Sequence, residues 1–143
     1  MEPKAFLDLA DDLKNKSDSE AALRTSVSRS YYALHNLLSQ FIKDSGFFLP
    51  KTAKRHDLVC RWLHNCGVTC VSLIAKQLDE LRDDRNDADY DLEVDKFQES
   101  NVAVLLFIKA RSAYNDFHEH VRSSGNRKKI VEGICEYQKK APS

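Results

Sequence analysis

Glycine and proline are scarce in this chain, which has four glycines and three prolines among its 143 residues. So few helix-breaking residues favour long helices over a sheet with many turns. The glycines, at positions 46, 67, 125 and 133, are isolated from one another, so a glycine-rich phosphate loop is excluded. Long hydrophobic runs are also missing, because the best, residues 102–108, is seven residues long and a membrane helix needs roughly 20.

The N-terminal segment lacks the apolar core of a secretory leader, because Glu2, Asp8, Asp11 and Asp12 lie within it. We therefore expect a cytoplasmic protein with no membrane segment. A chain of this length is enough for one domain with its own hydrophobic core.

Net charge is absent as well, since 22 basic residues balance 22 acidic ones. The balance removes any general attraction to nucleic acid or to an anionic membrane. It hides an uneven distribution, because residues 79–99 carry ten acidic and three basic residues, a net charge of −7. The chain therefore has one strongly acidic stretch in a mildly basic background.

Four cysteines are present, and in a reducing compartment we expect them to be thiols rather than disulfides. Three of them lie close in sequence, at Cys60, Cys66 and Cys70, with His64 between them. Cys60 and His64 are spaced to share a helix face, which is compatible with zinc. However, no C-x-x-C pair occurs, and Gly67 interrupts any single helix that would carry all four. We therefore expect buried cysteines that act as small hydrophobic residues, with no metal and no cofactor.

Apolar residues recur at helical spacing along the chain, and strand signals are missing throughout. The fold class is therefore predicted to be all-α, an up-and-down bundle of four to five helices followed by a short tail helix. The bundle is assigned to residues 1–125 and the basic tail to residues 126–143. Helices are predicted over residues 3–14, 19–44 and 53–65, from residue 69 into the acidic stretch, and over residues 96–121 and 127–140.

The predicted boundaries around and after the acidic stretch depend on local chemistry. Residues 86–92 are predicted to form a loop, because their aspartates compete with helical hydrogen bonds. Asp95 is predicted to cap the fifth helix, whose buried face would include Leu105 and Ile108. Residues 123–125 are predicted to end that helix.

Two polar and aromatic segments, residues 27–35 and residues 81–91, stand out from the helical background. In this order and at this spacing they resemble the HEPN superfamily. Its small single-domain branch pairs a serine-arginine-x-tyrosine-tyrosine-alanine helix with a later arginine-x-x-alanine-aspartate-tyrosine segment. The resemblance covers about residues 3–122. The matching residues are Ser28, Arg29, Tyr31, Tyr32 and Ala33 in the first segment, and Arg85, Ala88, Asp89 and Tyr90 in the second.

The resemblance implies a helical bundle that forms a symmetric dimer, in which the arginine motifs of two protomers face a shared basic cleft. Many HEPN proteins are metal-independent ribonucleases of toxin–antitoxin, CRISPR and phage-defence systems. Others are RNA-binding or scaffold modules without activity, often encoded beside a minimal nucleotidyltransferase. We therefore expect a homodimer that acts on RNA or, alternatively, a scaffold whose partner is a protein of the nucleotidyltransferase type.

A histidine is missing at the position where the nuclease members have one, since these carry arginine, then four to six residues, then histidine. Here Tyr90 lies five residues after Arg85, and no histidine occurs within residues 85–99. Histidine, with a pKa near 6.5, takes or gives a proton near neutrality, whereas a tyrosine near 10 is a poor base. We therefore expect RNA binding rather than cleavage; any enzyme activity would be that of a metal-independent endoribonuclease. Four other histidines supply the missing group only if folding brings one beside the motif arginine: His35, His56, His118 and His120.

The candidate site residues are Arg29, Tyr32, Arg85, Asp89 and Tyr90, and no catalytic residue is assigned among them. Arg85 can bind a phosphate through two hydrogen bonds, and Tyr90 can stack on a base. The same cluster can instead lock the second and fourth helices together, with Arg85 paired to carboxylates at a helix end. The two roles are compatible, and the sequence leaves both open.

Overall fold

The computed structural model describes residues 1–141, which form six α-helices and no β-strand. The predicted all-α bundle is therefore confirmed. No helix in this part of the chain is long and apolar enough to cross a bilayer. The helices are α1 (Lys4–Leu13), α2 (Glu20–Asp44), α3 (Lys54–His64), α4 (Thr69–Tyr90), α5 (Ser100–His120) and α6 (Ser124–Lys140).

α2 is the central helix of the bundle, and α1, α4 and α5 all pack against it. Its inward stripe includes Leu34, Leu38 and Ile42, which are fully buried. Phe107 and Phe117 of α5 belong to the same core. Burial of each such side chain stabilises the fold by about 1.5–3 kcal/mol, so apolar burial along this stripe holds the helices together.

The predicted loop over residues 86–92 is wrong, because α4 continues through the acidic stretch to Tyr90. The last carbonyls of a helix have no partner within the helix, and here a buried cation satisfies them. That cation is Arg24 of α2, which is only 6% exposed. Its guanidinium donates, at 2.7–3.4 Å, to the carbonyls of Asp87, Ala88, Asp91, Leu92 and Val94.

α5 also differs from the prediction, because it begins at Ser100 and Asp95 does not cap it. Phe97 lies in the turn before the helix and is fully buried in a second, smaller core. Leu105 and Ile108, which were predicted to be buried, are 65% and 44% exposed. Other residues of α5 occupy the inward face: Ala103, Phe107, Ala110, Tyr114 and Phe117.

α6 begins at Ser124, three residues before its predicted start. Ser123 caps the helix, since its Oγ accepts a hydrogen bond from the Asn126 N–H at 3.3 Å. Ile130 and Ile134 are fully buried in the main core. The basic tail is therefore packed on the bundle through these two side chains.

The backbone of α6 directly contacts the turn that follows α3. A Cβ atom added at Gly133 would lie 1.7 Å from the backbone oxygen of Cys66. No side chain fits in that space, so glycine at this position permits the close approach of α6.

Candidate functional site

The structure brings the five predicted site residues together where α2 packs on α4. The guanidinium of Arg85 lies 5.4 Å from the ring centre of Tyr32 and 5.8 Å from that of Tyr90. The guanidinium of Arg29 lies 5.1 Å from the ring centre of Tyr32. Asp89 Oδ2 is 4.0 Å from Arg85 Nη1. The two sequence segments therefore form one spatial cluster.

Part of this cluster joins neighbouring helices. Ser28 Oγ on α2 donates to Asp89 Oδ2 on α4 at 3.1 Å. The guanidinium of Arg29 lies 5.3 Å from the ring centre of Phe6 on α1. Tyr90, in contrast, is 74% exposed. Arg29 and Asp89 thus contribute to packing, whereas the ring of Tyr90 is available to a ligand.

Beside the cluster lies an open cavity of about 380 Å³ that the sequence analysis did not predict. Arg85 lines it together with Arg82, which precedes it by three residues on α4. Arg55 at the start of α3 and Lys51 just before that helix line the cavity as well. No carboxylate belongs to the cavity lining within residues 1–141. Four cationic side chains therefore line one cavity, although the chain as a whole has no net charge.

Two of these arginines have acidic neighbours outside the lining. Arg82 Nη1 donates to Asp57 Oδ1 at 3.0 Å, whereas Arg85 reaches Asp89 only at 4.0 Å. The Nε atoms of Arg82 and Arg85 are buried and have no hydrogen-bond acceptor in the part of the chain that the structure describes. A buried donor without an acceptor costs about 1–3 kcal/mol. An anion that accepts from these groups would recover part of that cost.

The N-terminus of α3 adds positive charge to the same cavity. The helix begins at Lys54, and the two preceding residues, Thr52 and Ala53, line the cavity. Arg55 is held in place because its Nε donates to the carbonyl of Pro50 at 2.8 Å. A helix N-terminus carries about half a positive charge and favours anions, so the backbone reinforces the cationic side chains.

Two histidines and a tyrosine also line this cavity. The Tyr31 hydroxyl lies 2.7 Å from His56 Nδ1 and 3.4 Å from His35 Nδ1, and His56 Nε2 lies 3.2 Å from Asp79 Oδ1. Burial, helped by the charge that His56 gains in acid and by the charge of Arg55, lowers the pKa of His35 to about 4. Burial also lowers the pKa of His56 and raises the pKa of Tyr31. At neutral pH these three groups are uncharged, so the lysine and arginines set the charge of the cavity.

Folding thus brings two of the four candidate histidines, His35 and His56, into the cavity that Arg85 lines. His118 and His120 do not line it. His118 is exposed, and His120 Nδ1 lies 3.6 Å from Cys70 Sγ. The histidines that share a cavity with the motif arginine therefore come from α2 and α3, and not from the motif segment.

Sequence reasoning missed three of the four cationic residues of the cavity, Lys51, Arg55 and Arg82. Arg82 had a signal, because it lies three residues before Arg85 and so shares a helix face with it. Lys51 and Arg55 had none, since their position depends on how α3 packs on α4.

The four cysteines are free, and the set Cys60, His64, Cys66 and Cys70 does not form one metal cluster. Cys66 is buried and Cys70 is exposed. Within residues 1–141, the one group of three or more such side chains close enough to hold an ion is His56, Cys60 and Asp79.

Comparison with protein-family models, with curated proteins and with solved structures finds no match. The HEPN resemblance therefore stays an expectation that rests on the two sequence segments.

Proposed function

We propose that the protein binds single-stranded RNA and holds a backbone phosphate in the basic cavity. The observation that carries this proposal is the convergence of Lys51, Arg55, Arg82 and Arg85 on one open cavity, whose lining in the described chain contains no acid. The resemblance of the two motif segments to HEPN proteins indicates the kind of biological system in which the protein acts. We place the protein in a toxin–antitoxin or phage-defence system, as an RNA-associated component.

The environment of Arg85 suits a phosphate ligand. Its guanidinium lies 5.0 Å from the ring centre of Tyr31 and 5.4 Å from that of Tyr32. These aromatic contacts orient the planar group without neutralising its charge. A guanidinium held in this way can bind two oxygens of a phosphate at once, and hydrogen bonds to charged groups contribute about 1.5–3 kcal/mol each.

The aromatic side chains around Arg85 favour a single strand over a duplex. Tyr32 is half-buried and Tyr90 is exposed, and both rings lie within 6 Å of the guanidinium. Exposed aromatic rings stack on unpaired bases, whose faces are hidden inside a duplex. Because the chain has no net charge, affinity must come from a few local phosphate contacts, and the salt dependence should be shallow.

Cleavage of RNA is a second candidate activity, favoured by the position of His35 and His56 in the same cavity as Arg85. Cleavage without a metal needs one group to take the 2′-hydroxyl proton and another to protonate the leaving oxygen. A histidine whose pKa is about 4 is a weak base and carries no proton to give at neutral pH. Binding therefore remains the better-supported function.

Protein–protein interaction is the alternative function, and exposed apolar side chains favour it. Leu73 of α4 and Leu105 and Ile108 of α5 are all exposed. Leu105 and Ile108 are three residues apart on α5 and therefore share one exposed face, and an exposed apolar face is typical of a contact surface. We propose that they contribute to a homodimer; a scaffold for a nucleotidyltransferase-type partner would use the same kind of surface.

Fluorescence anisotropy with a short labelled single-stranded RNA tests the proposal. Arg85→Ala should weaken binding by about 1–3 kcal/mol, which is about 5- to 150-fold, since one charge-assisted contact is lost. The slope of log affinity against log salt should become shallower by about 0.7, the value for one phosphate of a single strand. A thermal melt must accompany this variant, because Arg85 also contacts the α2 tyrosines.

Two exposed lysines supply a matched pair that does not disturb the fold. Lys51 lines the cavity, whereas Lys54, three residues later, does not. Lys51→Ala should weaken RNA binding and Lys54→Ala should not. Equal effects of the two variants, or unchanged binding by a folded Arg85→Ala protein, would exclude the cavity as the RNA site.

A further inference from the structure

A second cluster of chemically reactive side chains lies next to the basic cavity, where α3 packs on α4. His56 Nε2 is 3.5 Å from Cys60 Sγ and 3.2 Å from Asp79 Oδ1. All three ligand atoms lie within 4.8 Å of one another. An imidazole nitrogen, a thiol sulfur and a carboxylate oxygen are the three ligand types that zinc accepts in proteins.

Two of the three distances between ligand atoms match edges of a zinc coordination tetrahedron, and the third is at most 4.8 Å. Zinc binds nitrogen and oxygen at about 2.0–2.2 Å and sulfur at about 2.3 Å. In a tetrahedron these bond lengths place a nitrogen and an oxygen about 3.3 Å apart, and a nitrogen and a sulfur about 3.6 Å apart. The observed separations are 3.2 Å and 3.5 Å, so the imidazole nitrogen already has the spacing to the other two ligands that an ion requires.

The helices hold these ligands in position. His56 and Cys60 are four residues apart on α3 and therefore share one face, which packs on α4 and its Asp79. On the other side of the imidazole ring, His56 Nδ1 lies 2.7 Å from the Tyr31 hydroxyl. Zinc-binding histidines commonly use the second ring nitrogen for such a hydrogen bond, which fixes the orientation of the ring.

Charge and access are also suitable. Burial raises the pKa of the Cys60 thiol, so zinc would bind by displacing its proton; the resulting thiolate and the Asp79 carboxylate would together balance the two positive charges of the ion. Besides burial, the positive charge of Arg82 lowers the pKa of His56 in this cluster. Arg82 is itself paired with a carboxylate, because its Nη1 donates to Asp57 at 3.0 Å. An open cavity of about 560 Å³ reaches Cys60 and Asp79 from solvent, and the Asp79 side chain is 67% exposed.

We propose that His56, Cys60 and Asp79 bind one Zn²⁺ ion, with a water molecule from the adjoining cavity as the fourth ligand. This proposal replaces the expectation of no metal, for which the candidate ligands were Cys60, His64, Cys66 and Cys70. Asp79 lies on the next helix and had no signal in the sequence. The proposal does not depend on RNA binding, although His56 also lines the basic cavity.

Cobalt and zinc titrations of the full-length, chelator-treated protein test the proposal. Elemental analysis after zinc addition and gel filtration should give one zinc per chain. Co²⁺ should produce the visible absorption of a tetrahedral site, with a thiolate charge-transfer band in the near ultraviolet. Cys60→Ser should abolish that band and weaken zinc binding by more than about 100-fold, above the range for changes outside the ligand set. Added zinc should raise the melting temperature of the wild type but not of Cys60→Ser.

Cys70→Ser is the matched control, because Cys70 is exposed and lies 3.6 Å from His120. It should keep both the band and the zinc affinity. Asp79→Asn, at an exposed side chain, should weaken zinc binding without unfolding the protein. Fewer than one zinc per chain, or a band that is lost in Cys70→Ser and kept in Cys60→Ser, would overturn the assignment. Lys51→Ala should bind zinc normally, which separates this outcome from that of the RNA experiment.

Discussion

Arg24 holds the end of α4 in place from a distance of more than 60 residues along the chain. Its guanidinium donates to five carbonyls between residues 87 and 94 at 2.7–3.4 Å. It also lies 5.2 Å from the ring centre of Phe97, whose side chain is fully buried. Replacing Arg24 leaves the carbonyls of Ala88, Leu92 and Val94 without a donor among the described residues, whereas those of Asp87 and Asp91 keep the backbone N–H groups of Asp91 and Val94.

We expect Arg24→Met to lower the free energy of unfolding by about 3–5 kcal/mol. A hydrogen bond from a charged donor contributes about 1.5–3 kcal/mol, and each buried carbonyl left without a donor costs about 1–3 kcal/mol. The total stays below the sum over five carbonyls, because Asp91 and Leu92 are exposed and water reaches that part of the chain. Urea denaturation followed by circular dichroism measures the loss as a lower midpoint at unchanged slope.

Arg122→Met is the control for losing an arginine. Arg122 is exposed and its Nη1 donates to Glu119 Oε2 at 3.0 Å, so the change should stay within about 1 kcal/mol. Amide hydrogen exchange should also quicken selectively over residues 87–94 in Arg24→Met. A loss below about 1 kcal/mol, or exchange that is unchanged in that segment, would refute the assigned role of Arg24.

Three further predictions concern packing, assembly and activity. Gly133→Ala should destabilise the protein by about 1–3 kcal/mol in a thermal melt, because the added Cβ collides with the Cys66 backbone. Gly125→Ala is the control and should be neutral or stabilising, because its added Cβ meets no atom closer than 3.7 Å. Light scattering at micromolar concentration should give about twice the 16.4 kDa chain mass, and Leu105→Asp should shift the protein towards monomer; wild type seen only as monomer would contradict the dimer. Gel assays without metal should show weak or no cleavage of single-stranded RNA, and robust cleavage abolished by Arg85→Ala would show an endoribonuclease instead.

Local signals predicted most helix boundaries to within a residue or two. α2 was expected over residues 19–44 and runs from Glu20 to Asp44, because Ser19 Oγ accepts from the Ala22 N–H at 3.1 Å. Gly46, just after α2, and Gly67, after α3, have φ angles of 96° and 81°. Only glycine adopts such angles readily, so these two ends were visible in the sequence.

The remaining features depend on contacts between distant segments, which no local pattern encodes. Aspartates favour a loop at the end of α4, but Arg24 from α2 overrides that preference. The motif pair pointed to Arg85 and Tyr90, yet Arg55 joins them only because α3 packs on α4. Asp79 approaches His56 through the same packing. The sequence thus identified the α2–α4 cluster, while both cavities follow from the placement of α3.

Side-chain NMR of the arginines during an RNA titration tests the central claim most directly. The Nε–Hε signals of Arg55, Arg82 and Arg85, which line the basic cavity, should shift together and saturate at the affinity measured by anisotropy. The signals of Arg122 and Arg127, which do not line it, should stay in place. Shifts confined to Arg122 and Arg127, or no arginine shift under conditions where RNA is bound, would contradict phosphate binding in the cavity.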